Sequence, residues 1–459
     1  MSEHISDTIA AIATPPGEGG IAVIRVSGDD AIPIVNQVFS RDIMHVESHS
    51  VHYGKIIHPA DHSTVDEVLL TVMRAPRSFT TENTVEVSCH GGIVSVRHVL
   101  QLILEAGARI AEPGEFTKRA FLGGRIDLTQ AEAVMDLIRS KSDRSFHVAM
   151  KQSEGMLSNQ VRLIRQELLE TMAHIEVNID YPEHDVEALT NAFIREKCEL
   201  AQDKVRALLA KADQGKILRE GIVTAIVGRP NVGKSSLLNE LLQENRAIVT
   251  DIAGTTRDVI EEYVQVNGVP LKLLDTAGIR ETSDLVEQIG VERSRIAVND
   301  ADLILFVLNY NEALHEDELE LMDQLKDRRV IVIVNKIDLD KKLETDRLEL
   351  LFGAEQVIYM SITEQEGCKH LEDAIANLFF EGKLEGQDMT YVSNVRHIHL
   401  LKQADHALQE ALDGAASMMP IDMIQIDIHL AWEHLGEVIG DAVSESLLDQ
   451  IFSQFCLGK

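Results

Sequence analysis

Long apolar runs are missing. Nowhere in the 459 residues do eighteen apolar residues follow one another, so no membrane-spanning helix is expected. The N-terminus has no basic stretch ahead of an apolar one, which argues against a signal peptide and for a cytoplasmic protein. Cysteine is scarce: Cys89, Cys198, Cys368 and Cys456 stand far apart and form neither a metal-type nor a redox pair, as suits a reducing compartment. The eighteen histidines are scattered without an HExxH, and His397 and His399 read as exposed helix positions rather than metal ligands. Positive charge is also short. With 43 Lys and Arg against 75 Asp and Glu, the net charge of −32 argues against broad non-specific nucleic-acid binding, because phosphate contacts need clustered cations. Binding at a local basic patch or through a partner protein stays open.

What is present suffices for packed cores: 45% of the residues are hydrophobic, and the length suits two or three domains. Residues 1 to about 120 read as mixed α/β. Ile21–Val26 is a predicted strand after the turn at residues 15–20, and Val65–Met73 and Thr84–Ser88 read as further strands. Ile93–Ala106 has helical periodicity, with Gly107 suited to end it, and Pro113-Gly114 marks a turn. From Phe116 to Lys216 the pattern is almost all helix. Leu157, Val161, Ile164, Leu168, Met172, Ile175 and Ile179 step by three or four, the stripe of a bundle core. Tyr181-Pro182 stops that helix, and a second is expected from Asn191 to Leu218.

Residues 222–382 alternate strand and helix. Leu271–Leu274, Leu303–Leu308, Val330–Val334 and Val357–Met360 are short apolar runs of the kind that form buried parallel strands. Residues 384–459 are helical again, with twelve Asp and Glu against three Lys and Arg. So short a helical segment makes a marginal core alone. It is therefore expected to pack against 120–216, with the α/β unit inserted into a helical domain.

One stretch organises the chain. Gly228-Arg229-Pro230-Asn231-Val232-Gly233-Lys234-Ser235-Ser236 follows the apolar run Ile222–Val227 and opens a helical pattern at Leu237. Strand, glycine-rich turn, Lys-Ser and helix is the setting of a P-loop. Backbone N–H groups of such a turn, here Asn231 to Ser236, converge on phosphate oxygens, and the helix N-terminus adds partial positive charge. Lys234 can reach the β and γ phosphates, and Ser235 can ligate Mg²⁺. Asp275-Thr276-Ala277-Gly278 ends a strand, where the carboxylate can hold Mg²⁺ through water and Gly278 N–H can meet a γ-phosphate. The loop between carries Thr250, Asp251, Ile252, Ala253 and Gly254, then Thr255 and Thr256, a threonine hydroxyl being able to complete the Mg²⁺ shell.

Asn335-Lys336-Ile337-Asp338 ends the Val330–Val334 strand. Asp338 can accept hydrogen bonds from N1–H and the exocyclic amine of guanine, a donor pair adenine lacks. Three motifs in this order on these elements point to GTP hydrolysis. The fifth stretch, usually Ser-Ala-Lys, is Ser361-Ile362-Thr363, a weak match. Catalysis needs more. In Ras-like enzymes a Gln directly after the DTAG-like motif orients the attacking water. Ile279 holds that position and cannot, and Arg280 reads as a surface residue rather than an arginine finger. The Asn231 side chain can bind a monovalent cation near the β–γ bridge. Glu287 is an acid in the right loop to position water, although by residue type alone it reads as a solvated loop acid.

GRPNVGKSS, TDIAGTTRD and DTAGIR, with the N-terminal ATPPGEGG, Arg25-Val26-Ser27-Gly28, PGEFTKRAF and the terminal Cys456-Leu457-Gly458-Lys459, resemble the MnmE (TrmE) family of bacterial tRNA-modification GTPases over essentially the full length. The G motifs occur in many proteins; the terminal Cys-x-Gly-Lys together with PGEFTKRAF is specific. The resemblance implies a multidomain α/β plus all-α fold. Residues 1–119 would be an α+β folate-binding and dimerisation domain, 120–216 and 384–459 the two parts of a helical domain, and 217–383 an inserted Ras-like G domain.

It further implies a homodimer whose G domains pair in a K⁺-dependent way to hydrolyse GTP. By position, the Asn231 side chain, backbone oxygens of Thr250 and Ile252, and Thr255 would hold K⁺, where an arginine finger would otherwise act. Ser235 and Thr256 match the Mg²⁺ ligands, and Glu287 matches a water-orienting glutamate. The family works on tRNA with a flavoprotein, MnmG, to install an aminomethyl or carboxymethylaminomethyl group on the wobble uridine, using a tetrahydrofolate derivative. Arg25, Glu82, Arg125 and Lys459 match folate-contacting positions: Glu82 can accept pterin N–H donors and the cations can meet the glutamate tail. Without the resemblance Arg25 reads as a surface charge. Cys456 lies where a prenylation box would have its cysteine, but Gly458 and Lys459 are wrong for that signal. The match instead implies a cysteine held at the folate site.

The competing reading is a ribosome-assembly GTPase of the Era or Der type. It would need an RNA-binding appendage or a second G domain, and neither a GxxG loop in a basic setting nor a second P-loop is found. A folate-dependent transferase with an idle GTPase is disfavoured by the intact nucleotide motifs.

Overall fold

The computed structural model describes residues 7–180, 187–244, 262–274, 298–380 and 391–459. The first unit comprises β1 (Ile9–Ile12), β2 (Gly19–Ser27), α1 (Ala31–Val38), β3 (Ser50–Ile57), β4 (Thr64–Met73), β5 (Thr84–Gly91), α2 (Ile93–Glu105) and β6 (Arg109–Ile110). Its strand order is β3-β4-β5-β2-β1-β6, antiparallel except for the β1–β6 pair. In β4 the alternate residues Asp66, Val68, Leu70 and Val72 are buried, so one face of the sheet is covered. Ile24, Val26, Leu70, Val85 and Val87 pack there with Val35, Val99 and Ile103 of the two helices. Gly107, at φ +119°, follows α2 where a Cβ would be strained. Sequence pattern did not anticipate β1 and β3: β1 has four residues, and β3 exposes Val51 and Tyr53, blurring any alternation.

Six helices follow: α3 (Glu115–Leu122), α4 (Leu128–Arg139), α5 (Asp143–Ser153), α6 (Met156–Asp180), α7 (Glu187–Leu209) and α8 (Ala212–Glu220). Then comes the second α/β unit: β7 (Ile222–Val227), α9 (Lys234–Glu244), β8 (Glu262–Val266), β9 (Val269–Leu273), β10 (Leu303–Asn309), α10 (Glu316–Leu325), β11 (Val330–Asn335), α11 (Asp346–Phe352), β12 (Val357–Met360) and α12 (Cys368–Phe380). The strand order β12-β11-β10-β7-β9-β8 is parallel except for the β8–β9 hairpin. Every residue of β10 and β11 is buried, as unbroken apolar runs require when helices cover both faces.

The chain ends in α13 (Val395–Ala416), α14 (Ile421–Ile439) and α15 (Glu445–Ser453). The stripe from Leu157 to Ile175 is buried against Leu401, Leu408, Ile428 and Leu435, so helices from both sides of the second sheet share one core. Ile179 lies where side chains are outside the described residues. Among the described residues no helix is long and apolar enough to cross a membrane.

Two expectations fail. The helix predicted from Asn191 to Leu218 is two, since α7 ends at Leu209 and α8 starts at Ala212. Ala210-Lys211 carries no turn signal. The break is tertiary in origin: Leu208 stays in the helical core while Leu218 enters the core of the second sheet. His399 is exposed as expected, but His397 is buried, with Nε2 2.6 Å from Glu132 Oε2. A helical pattern cannot reveal a partner that the chain supplies from another helix.

Candidate functional site

The apolar run Ile222–Val227 makes β7 a buried central strand, and its C-terminal end delivers the glycine-rich turn. Gly228, at φ +146°, passes so close to Val307 O that a Cβ would clash, and a Cβ on Gly233 would meet the Asn335 amide. Between them Asn231 takes φ +64°, a left-handed conformation that asparagine tolerates better than most residues. Lys234 opens α9 and donates through Nζ to the carbonyls of Gly228 at 2.5 Å and Arg229 at 2.7 Å. Burial pushes the Lys234 ammonium below the usual lysine range.

The NKxD stretch is tied to this loop. Asn335 Nδ2 donates to Val232 O at 2.8 Å, and Lys336 Nζ donates to Asn231 O at 2.8 Å. Asp338 is held too: Ser361 Oγ donates to Asp338 Oδ1 at 2.7 Å, and Ile362 N donates to Asn335 Oδ1 at 3.4 Å. The weak match at Ser361-Ile362 therefore keeps the one hydroxyl that orients Asp338. The structure thus assembles Asn231 to Ser236, Asn335, Lys336 and Asp338 into one loop cluster. Thr250 to Thr256, Asp275 to Gly278 and Glu287 lie outside the described residues.

A second cluster forms where the C-terminal tail meets the first sheet. Arg25 on β2 pairs with Glu86 at 2.9 Å and donates to Gly458 O at 3.4 Å. Its guanidinium stands 5.9 Å from the Phe79 ring centroid and 5.6 Å from that of Phe116. Arg125 approaches the same Phe79 ring at 5.0 Å and donates to Ser78 O at 3.0 Å. Glu82 lies in the same loop as Phe79, accepting from Ser27 Oγ at 2.6 Å and from Arg119 Nη1 at 3.1 Å. Thr81, just before it, takes φ +65°, unusual for a β-branched residue.

The tail is fastened down. Phe116 N donates to Lys459 O at 3.2 Å, and Gly114 N donates to Cys456 O at 3.4 Å. Gly458, at φ +86°, would bring a Cβ against Ile12 and Ala13. Cys456 itself is exposed. Arg25, Arg125 and the backbone of the Cys456–Lys459 tail are thus brought together around Phe79 and Phe116, with Glu82 fixed one hydrogen bond away by Arg119. Arg25 is no free surface charge: its side chain is only 18% exposed.

Family models match both parts of the chain. The model described as GTP-binding protein TrmE N-terminus covers residues 8–125, and that of the MnmE helical domain covers residues 128–456. A curated relative from Bacillus licheniformis, tRNA modification GTPase MnmE, is 58% identical over 458 residues, 99% of this chain and 100% of its own length. The chain belongs to the MnmE family. Relatives of the same description from Bacillus cytotoxicus and Bacillus subtilis are 59% and 57% identical, each over 99% of this chain. Among solved structures, the FeoB G domain of Methanococcus jannaschii matches 34% of this chain and 96% of its own length at 24% identity, with a TM-score of 0.25.

Sequence reasoning missed several residues of these clusters. Arg119 and Phe116 both lie inside PGEFTKRAF, so the motif pointed to them without giving a role. Arg119 is buried and also donates to Asp7 and Glu115, which makes it the hub that aims Glu82. Burial pushes the Glu115 carboxyl up, but Arg109 and Arg119 outweigh this and hold it below the usual carboxylate range. Phe79 carried no signal: a lone phenylalanine beside a turn reads as packing.

Proposed function

We infer that this chain is a GTPase that acts in tRNA modification. It works as a homodimer with the flavoprotein MnmG, depends on K⁺, and places a folate-borne one-carbon unit so that an aminomethyl or carboxymethylaminomethyl group forms on the wobble uridine. The observation that supports this most is the joining of the P-loop to the NKxD stretch through Asn335 and Lys336, with Asp338 braced by Ser361.

Each residue then has a task. Lys234 exchanges the carbonyls of Gly228 and Arg229 for β and γ phosphate oxygens, and its partial burial strengthens that attraction. Asp338 accepts from the guanine edge. Ser235 and Thr256 would hold Mg²⁺, and the Asn231 side chain, Thr250, Ile252 and Thr255 would hold K⁺. Lys336 holds the backbone carbonyl of Asn231 and so fixes the loop from which the Asn231 side chain would reach a cation. These cations would supply the positive charge that phosphoryl transfer needs where no arginine finger is present. Glu287 orients the attacking water.

In the second cluster, the Phe79 ring flanked by Arg25 and Arg125 fits a planar ligand with an anionic tail. Lys459 adds charge for that tail, and Glu82 offers an oriented carboxylate to pterin N–H groups. The partner and a local patch supply the cationic surface for tRNA that a net charge of −32 does not.

Two outcomes are expected. A strain lacking this protein loses the modified wobble uridine, read by mass spectrometry of digested tRNA; unaltered tRNA would sink the assignment. GTP turnover of the purified protein is at least about tenfold faster in KCl than in NaCl. Equal rates would take the K⁺ role away from Asn231.

A further inference from the structure

The second sheet interrupts the helical body, so two stretches of chain connect them, and both pass one spot. The incoming stretch is α8, which runs through Gly221 into β7 and on to the P-loop. Arg219 of α8 donates through Nε to Asp136 Oδ1 of α4 at 2.8 Å. The returning stretch precedes α13. Gln152 of α5 donates to Tyr391 O at 2.9 Å and to Ser393 Oγ at 3.4 Å. The two stretches press on each other: a Cβ on Gly215 of α8 would stand 2.5 Å from Val392 O. Val392 belongs to the helical core, whereas Leu218 and Tyr391 pack with the core of the second sheet.

The helix that receives α8 is tied at several points. Asp127 caps the start of α4, two residues after Arg125. One turn before Asp136, Glu132 is gripped by Arg396, which also donates to the carbonyls of Glu437 and Val438 at the end of α14. At the last turn Arg139 donates to Gln454 O, two residues before Cys456. A short helix held by such contacts shifts as a unit, because packed elements move between discrete arrangements rather than deform. Burial pushes the Asp136 carboxyl up and Arg219 opposes it, so this carboxylate depends on its partner.

We propose that the Asp136–Arg219 pair is the transmission contact of this GTPase. It sets how the P-loop strand sits on α4, and through α4 it makes Arg125 and the terminal tail respond to the nucleotide. Asp136 and Arg219 are positioning residues, remote in role from the chemistry. The proposal rests on the reading of the chain as a GTPase acting in tRNA modification, with Arg125 and the tail at its second site, and not on the K⁺ assignment.

The test uses full-length Arg219→Ala, Asp136→Asn, Gly215→Ala and the reversed pair Asp136→Arg with Arg219→Asp. Each is supplied as the sole copy to a strain lacking the protein, and is also purified for GTP turnover in buffer containing K⁺ and Mg²⁺. The single variants are expected to keep turnover within about twofold while tRNA modification falls by about tenfold or more, the scale of coupling between sites. The reversed pair restores most of the modification. Gly215→Ala removes no charge and favours helix, yet wedges α8 from the returning stretch, so it decides the matter even where Arg219→Ala fails to fold. Turnover and modification falling in proportion, unchanged modification in Gly215→Ala, or a reversed pair no better than the single variants would overturn the proposal. A wild-type protein without GTP turnover, or normal tRNA in the deletion strain, would overturn the underlying reading instead.

Discussion

Asp338→Asn is expected to lower GTP affinity by about 10²–10³-fold and to make xanthosine triphosphate the preferred nucleotide. The carboxylate can accept from both N1–H and the exocyclic amine of guanine, and bonds to a charged acceptor contribute about 1.5–3 kcal/mol each. Asparagine keeps the size but puts an NH₂ where an acceptor is needed, leaving guanine donors unpaired in the complex. Xanthine has a carbonyl in place of the exocyclic amine, so the new NH₂ donates to it. Ser361 Oγ, 2.7 Å from Asp338 Oδ1, can bond the remaining amide oxygen and keep the side chain aimed. Displacement of a fluorescent nucleotide from the full-length protein measures both affinities. A GTP affinity within about threefold of wild type would remove Asp338 from base recognition.

Glu132→Gln is expected to cost about 3–5 kcal/mol of stability at neutral pH, because it leaves buried partners without their counter-charge. Glu132 is 9% exposed and accepts from Arg396 at 3.1 and 2.8 Å and from His397 at 2.6 Å. Glutamine has one acceptor oxygen for those donors and no charge to answer them. Burial pushes the Glu132 carboxyl up, but His397 and Arg396 outweigh this and hold it far below the ordinary glutamate value of 4.5.

The sign of the pH dependence follows. A group whose folded value is depressed stabilises the native state fully above its unfolded value, and that contribution fades as pH falls below about 4.5 towards the folded value. Glutamine does not titrate, so this carboxylate's part of the gap between wild type and variant is full above about pH 4.5 and narrows below it. Urea unfolding followed by the fluorescence of Trp432, the single tryptophan and part of the helical core, reads the right region. A gap under about 1 kcal/mol at pH 7, or one that stays constant down to pH 3, would show that this ion pair does not carry the load assigned to it.

Much of the nucleotide site was legible because its parts are short and contiguous. Gly228 to Ser236 needs only a strand before it and a helix after it, and both followed from apolar patterning within a dozen residues. The reading stopped where a second segment had to be placed. Nothing local says that Asn335 closes on Val232, or that Ser361, kept from a poorly matched motif, braces Asp338. Arg25, Glu82, Arg125 and Lys459 were grouped only by resemblance to a family. The structure shows that Arg25 and Arg125 both stand beside the Phe79 ring. Glu287, Thr250 to Thr256 and Asp275 to Gly278 lie outside the described residues.

Helix periodicity behaved in the same way. The stripe from Leu157 to Ile175 named its own buried face, since residues three and four apart share a side of any helix. It could not say that α8 would break from α7, or that His397 would turn inwards. From the amino-acid order alone came most of the helices and the buried central strands, the glycine-rich turn and the NKxD stretch, because each depends on neighbours a few residues away. Arg25 on Gly458, His397 on Glu132 and Arg219 on Asp136 join residues 433, 265 and 83 positions apart, and only the folded chain decides them. Charge pairing and burial depend on distance in space, and sequence separation carries no measure of it.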